Sequence, residues 1–249
     1  MWPYRQAIEV FHLLFLRSFG ARVDKTLFAL KGGCNLRFYH RSIRYSEDMD
    51  LDMRTMATGT LRSNVEAVLA ADPLRQSLRT QELEIAAVTA PKQTSTTQRW
   101  KIALSIAGQR DTIPTKIEFS RRALDEGAEL APVEPSIIRR YKLYPVLVQR
   151  YNASTAFTQK VAALALRSET QARDIFDLRL LLDAGAAPLS VSRELLTAAV
   201  ENAMAISFDD FTGQVVAYLE PEHQKDYRDR ASFESMQEQV VDALRAPAR

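Results

Sequence analysis

A chain of 249 residues with 46% hydrophobic and 26% charged side chains can bury one large core or two smaller ones. Its 8 glycines and 10 prolines leave no room for a long low-complexity linker, and a net charge of +2 argues neither for nor against a nucleic-acid partner. The single cysteine, Cys34, excludes an intramolecular disulfide and a Cys-rich zinc site, which fits a reducing cytosol.

The N-terminal segment lacks a basic stretch, an apolar core and a small-residue cleavage site, so no secretory leader is expected. Residues 4–19 place Ile8, Phe11, Leu14, Phe15 and Phe19 at helical spacing, and Gly20 is expected to end that helix. Its most apolar run, Val10 to Leu16, is too short to cross a bilayer. Thr26 to Leu30 reads as a short buried strand. It feeds the pair Gly32-Gly33, and a short helix is expected from Cys34 to His40. Bare backbone at such a strand–helix junction can approach a phosphate, and the helix N-terminus offers free N–H groups to it.

The run Asp48-Met49-Asp50-Leu51-Asp52-Met53 alternates as a strand, with the three acids on one face and Met49, Leu51 and Met53 on the other. Acids two apart on a strand are ~6.8 Å from each other and repel by about 0.6 kcal/mol in water, or about 2.4 at an effective dielectric of ~20. A hard divalent cation turns that repulsion into attraction, so Asp48 and Asp50 are candidate Mg²⁺ (or Mn²⁺) ligands. Lys31, Arg37, Arg41 and Arg44 surround the glycine pair in sequence, with Phe38, Tyr39 and Tyr45 between them. Such a cluster could guide phosphates by contact and stacking, or be a solvated surface.

Further along, Leu61, Val65, Val68 and Leu69 space as a helix closing near Asp72-Pro73. Leu83 to Val88 and Arg99 to Ala107 read as neighbouring antiparallel strands around a polar loop at Lys92 to Thr97. In the strand Thr115 to Phe119, Lys116, Glu118 and Ser120 share a face; Glu118 could pair with Lys116 or Arg121. Val146 to Val148 is the last expected strand. Helices follow over 154–167, 169–184, 193–205, 208–219 and 233–244. Ser168 and Gln171 have the spacing of a capping box for the second of these. A boundary is expected near Ala131-Pro132-Val133-Glu134-Pro135 or near Asn152. The latter gives an α/β core over residues 1–152 and a helical domain over 153–249. On the helices, Lys160 and Arg167 lie seven apart, while Arg173, Asp174 and Asp177 can reach one surface region.

Lys31-Gly32-Gly33, then Arg44-Tyr45-Ser46-Glu47-Asp48-Met49-Asp50-Leu51, and later Lys160 and Arg173-Asp174-x-x-Asp177-Leu178, together resemble the motifs of the AbiEii/AbiGii-type nucleotidyltransferase toxins. That family lies within the DNA polymerase β-like superfamily. The resemblance spans about residues 28–182; the last ~65 residues match no motif and are read as structural.

It implies an α+β fold: a mixed sheet with flanking helices, followed by a mostly helical C-terminal domain. It implies Asp48, Asp50, Lys160 and Asp174 as catalytic, and Lys31, Gly32, Gly33, Ser46, Arg173 and Asp177 as nucleotide-binding. Asp48 and Asp50, with Glu118 as third carboxylate, would hold the metal, and Asp174 would hold Lys160 in position. Cys34 stands where the family usually carries Ser or Thr, which suggests one lost phosphate contact. The implied activity is metal-dependent transfer of a nucleotide from an NTP to an RNA end, tRNA foremost, or to a protein. Such an enzyme would be the cytoplasmic toxin of a toxin–antitoxin or phage-defence pair with a cognate antitoxin. A metal-dependent nuclease and a non-catalytic protein that keeps the fold are the alternatives.

Overall fold

A computed structural model describes residues 3–54, 56–121, 123–186 and 191–246. The chain forms two compact units, one of Met1–Tyr39 with Tyr45–Tyr151 and one of His40–Arg44 with Asn152–Arg249.

The first unit opens with α1 (Tyr4–Arg22), which is buried along most of its length. Phe11, Phe15 and Phe19 recur every fourth residue and therefore line one helix face. Their rings run in a ladder that continues to Phe28 at 5.0 Å and Phe119 at 5.3 Å. Gly20 does not end this helix. It lies within it, at a point where an added Cβ would come 3.3 Å from Val148 Cγ1, so the glycine serves close packing.

Next come β1 (Phe28–Lys31), α2 (Gly32–Tyr39) and β2 (Asp48–Met53). The two glycines are thus the first residues of the helix rather than a loop before it. In α3 (Thr58–Ala70) the expected apolar positions face inward, but Asp72-Pro73 opens a second helix, α4 (Asp72–Arg79). Proline is well tolerated in a first turn, where its missing N–H has no partner to lose.

Strands β3 (Leu83–Gln93), β4 (Thr97–Ile106) and β5 (Thr112–Ser120) form an antiparallel meander. The proline-flanked stretch after Gly127 is a short edge strand, β6 (Ala128–Pro132), followed by α5 (Pro135–Arg140), and β7 (Leu147–Tyr151) closes the unit. Sequence patterning missed β6 and α5 because neither has a clear apolar period.

The seven strands lie in the order β3-β4-β5-β2-β1-β7-β6, parallel at β2/β5 and β1/β7 and otherwise antiparallel. One face is buried: Met49, Leu51, Trp100, Ile117 and Phe119 pack with the apolar residues of α1, α3 and α4.

The second unit is helical, as expected: α6 (Ala153–Leu166), α7 (Ala172–Asp183), α8 (Arg193–Ala205), α9 (Phe208–Gln214) and α10 (Arg230–Arg245). The 208–219 helix is shorter than its pattern suggested, ending at Gln214 before a 3₁₀ turn at Val216–Tyr218. The capping box at Ser168 and Gln171 does not form. Gln171 is itself the N-cap without a side-chain bond, and the Ala172 N–H instead donates to Gln214 Oε1 at 2.9 Å. Residues 40–44 join this unit through a bridge between Arg44 and Leu219 and a bond from the Glu220 N–H to the Ile43 carbonyl.

Candidate active site

Alternation along β2 turns Met49, Leu51 and Met53 into the core and leaves Asp48, Asp50 and Asp52 on the opposite face. The parallel register sets Asp48 beside Lys116, Asp50 beside Glu118 and Asp52 beside Ser120. On the other side, Lys31 of β1 is the partner of Asp50. Gly32, the first residue of α2, has φ +64°, a conformation that a Cβ disfavours. A Cβ there would also lie 3.2 Å from Asp50 Oδ2. The start of the helix and the central acid are therefore one place.

Each of the flanking acids has a cation. Lys116 Nζ lies 3.0 Å from Asp48 Oδ2, and Arg99 Nε donates to Glu118 Oε2 at 2.5 Å. Arg99, not Lys116 or Arg121, is therefore the partner of Glu118. The buried Asp52 accepts from Lys31 Nζ at 2.5 Å and from Tyr151 Oη at 2.9 Å. Among the described residues Asp50 has no such direct cation. Burial pushes its carboxyl above the ordinary range; Lys116 offsets part of this, while the like charges of Asp48 and Glu118 add to it.

A layer of hydrogen bonds behind β2 was not legible in the sequence. The Asp48 carbonyl accepts from Ser46 Oγ at 2.9 Å and from Cys34 Sγ at 3.2 Å. Thr115 Oγ1 donates to the Glu47 carbonyl at 2.7 Å and lies 2.8 Å from His12 Nε2. Since the threonine proton is committed to Glu47, His12 Nε2–H is the donor in that contact. Burial lowers the His12 pKa to about 3, so the ring is neutral. Cys34 is buried and faces the strand, so its side chain is not a phosphate contact, whatever hydroxyl it replaces. The one signal in sequence was a histidine in an otherwise apolar helix, which calls for a polar partner without naming it.

The basic residues near the glycines are divided between the two units. Lys31 is held by Asp52. Arg37 is buried against Glu9, Nε to Oε1 at 2.5 Å, with its guanidinium 4.6 Å from the centre of the Tyr45 ring. Arg44 is buried in the second unit, where it pairs with Asp177, and Arg41 is exposed. Arg37 and Arg44 each went to a buried carboxylate, because leaving either charge unpaired inside costs several kcal/mol, about 3–5.

In the second unit, Lys160 Nζ lies 3.0 Å from Asp174 Oδ1 and 2.5 Å from Asp177 Oδ2. Arg44 donates to both oxygens of Asp177 at 3.0–3.2 Å, and Arg167 Nη1 lies 3.1 Å from Asp174 Oδ2. Burial would raise the Asp177 carboxyl, but Arg44 and Lys160 outweigh it and hold it below the ordinary range. Three cations, Lys160, Arg44 and Arg167, thus meet the two carboxylates Asp174 and Asp177. Asp174 and Asp177 turn inward, whereas Arg173 is half-buried and makes no ion pair among the described residues.

Among the described residues, the group whose metal-binding atoms all lie within 4.8 Å of one another is Glu220, Glu222 and His223. Asp48, Asp50 and Glu118 are not drawn together that closely, because Lys116 and Arg99 hold the outer two.

A sequence profile of the family described as "Nucleotidyl transferase AbiEii toxin, Type IV TA system" matches residues 14–248, nearly the whole chain. The chain belongs to this AbiEii family. Two solved structures from Helicobacter pylori share its fold. One, JHP933, has 17% identity and a TM-score of 0.56, with 96% of this chain and 93% of that chain covered. The other, provisionally described as a nucleotidyltransferase, has 16% identity and a TM-score of 0.59, with 96% of each chain covered. No curated protein matches the sequence significantly. The AbiEii match extends over the helical C-terminal residues in which no motif was found, so these are part of the family's shared architecture. No described helix is long and apolar enough to cross a membrane.

Proposed function

We propose that this AbiEii-family protein is a metal-dependent nucleotidyltransferase that moves a nucleotide from an NTP to an RNA end, tRNA foremost, or to a protein acceptor. In this reading it is the cytoplasmic toxin of a type IV toxin–antitoxin or phage-defence pair, held in check by its cognate antitoxin. The observation that carries the proposal is the close approach of Gly32 to Asp50, with room for a Cβ only 3.2 Å from the carboxylate. A nuclease needs the acids but not a glycine-opened helix against them, and a binding protein has no need to keep a carboxylate destabilised by burial and by like charges.

The residues suit Mg²⁺ or Mn²⁺. Asp48, Asp50 and Glu118 are hard oxygen donors side by side on β2 and β5, and Asp50 is the one of the three without a direct cation among the described residues. The chemistry such an ion supplies is activation of the attacking hydroxyl and neutralisation of charge on the pyrophosphate leaving group. Gly32 and Gly33, at the first turn of α2, direct free N–H groups toward phosphate oxygens. Asp52, itself fixed by the Tyr151 hydroxyl, holds Lys31 beside that turn, and Ser46 fixes the start of β2 through the Asp48 carbonyl.

Lys160, Asp174, Arg173 and Asp177 enter the proposal through their own unit, where the ammonium of Lys160 and the part-exposed guanidinium of Arg167 suit a phosphate. Transfer follows one balance: the acceptor hydroxyl releases its proton to solvent, its oxygen bonds to the α-phosphorus as the bond to the bridging oxygen breaks, and pyrophosphate leaves with the electron pair.

The test is transfer of label from each α-³²P-NTP to total RNA and to total protein, with and without Mg²⁺. Wild type is compared with Asp48→Ala, Asp50→Ala and Lys160→Ala. Label in one pool, lost in the variants and on chelation, supports the reading and identifies the acceptor. Cleavage of RNA without label incorporation would replace it with the nuclease, and a folded protein that neither transfers nor binds Mg²⁺–NTP would replace it with the binding protein.

A further inference from the structure

The face of the sheet that carries the acids continues past them in two ordered rungs. The first runs Asp48, Lys116, Lys101, Thr89 across β2, β5, β4 and β3; the second runs Asp50, Glu118, Arg99, Lys92. Residues directly opposite on neighbouring strands project from the same face. All eight therefore stand on the side away from Trp100, Ile117 and Phe119, which belong to the core.

The charges change sign along these rungs. On β2 they are acidic, and from Lys116 outward they are basic except for the uncharged Thr89 and for Glu118, which Arg99 neutralises. Lys101 and Lys92 are exposed and have no ion pair among the described residues. Lys101 stands directly opposite Lys116; Asp48 pairs with Lys116, which leaves Lys101 facing a like charge with no carboxylate of its own among the described residues. At ~4.8 Å between strands, the basic row reaches about 14 Å from β2 to the edge strand.

We propose that this face of β5, β4 and β3 is a track for the phosphate backbone of the acceptor RNA strand. Lys101 and Lys92 are its phosphate contacts, and it leads the strand's terminal hydroxyl toward Asp50. The inference rests on the transferase reading and selects RNA from its two acceptor classes. A protein acceptor needs only one side-chain hydroxyl at the acids and has no use for a row of cations leading away from them. A nucleic-acid strand has a phosphate at every step and a hydroxyl at its end. The exposed positions of the two rungs on β3 and β4, Thr89, Lys92 and Lys101, include no aromatic side chain on which a base could stack. The track therefore reads charge and not sequence.

The experiment measures binding of a fluorescein-labelled single-stranded oligoribonucleotide to the full chain by anisotropy over a salt series, without NTP. Wild type is compared with the double variant Lys92→Glu/Lys101→Glu and with the matched control Lys142→Glu/Lys225→Glu, at exposed lysines elsewhere. Calorimetric binding of Mg²⁺–NTP is measured for all three proteins. The track predicts that the first pair weakens RNA binding by about tenfold or more and lowers the salt slope by about 1.4, two contacts at ~0.7 each. The control keeps wild-type RNA affinity, and NTP binding is the same throughout.

Equal RNA binding by the two double variants, no RNA binding by wild type, or binding that favours poly-glutamate over RNA overturns the track while leaving the transferase intact. Failure of the wild type to bind Mg²⁺–NTP strikes the transferase reading itself.

Discussion

Replacing Gly32 by alanine tests whether the helix start and the central acid work as one site. Two costs follow from the structure. At φ +64° an L-residue is in the left-handed region, which costs a Cβ-bearing side chain about 1–2 kcal/mol. The new methyl would also sit 3.2 Å from Asp50 Oδ2, so the carboxylate or the glycine turn must give by a few tenths of an ångström. For a chain of this size each kcal/mol corresponds to about 2–4 °C, so the melting temperature should fall by about 2–8 °C. Nucleotide transfer should fall much further than stability, because the displaced groups are a proposed metal ligand and the N–H groups beside it. The assays are thermal denaturation, calorimetric binding of Mg²⁺–NTP, and label transfer. Gly59→Ala is the control: that residue lies in α3 with nothing within 4 Å of its Cβ position, so alanine there should be neutral or slightly stabilising. If Gly32→Ala behaved like Gly59→Ala in all three assays, the close approach would have no functional meaning.

Asp50→Asn should abolish transfer yet leave the metal-free protein at least as stable as wild type at neutral pH. The raised pKa means that the ionised carboxylate is a burden in the fold, fully present above the folded pKa and relieved as pH falls through it toward 3.8; melting in chelator over that range should show the gap close. Asp177→Asn should have the opposite sign, costing about 3–5 kcal/mol, since it strips Arg44 and Lys160 of a buried partner. Because the folded Asp177 pKa is depressed, its contribution is complete above the unfolded value of 3.8 and is lost as pH falls through the folded one, which denaturant titrations in acid can follow. Cys34→Ser should not tighten NTP binding in calorimetry, because the side chain at 34 bonds the Asp48 carbonyl; a marked gain in affinity would place that hydroxyl on a phosphate instead.

Much of this protein was legible because local periodicity is a direct consequence of backbone geometry. The alternation of Met49, Leu51 and Met53 with three acids places the core on one face and the carboxylates on the other, whatever strands lie alongside. The fourfold spacing of Phe11, Phe15 and Phe19 dictates a buried helix in the same way. Gly32-Gly33 ahead of the Asp-x-Asp run was enough to suggest a phosphate cradle near a metal site.

What the sequence could not carry were choices made between residues far apart. Glu118 stands beside Asp50 only because β5 joins β2 in parallel and in one register; a slip of one residue would have turned Glu118 into the core. Arg99 then takes Glu118, and Lys116 takes Asp48, by proximity alone. Likewise, charged residues on a helix read as solvated until a partner from elsewhere permits burial. Lys160 is buried because Arg44, Arg167, Asp174 and Asp177 converge on one place and neutralise most of one another's charge. Sequence alone determined which faces are apolar and where acids and glycines cluster. Tertiary structure decided which charges meet, because pairing energy depends on distances that only the assembled sheet and helices set.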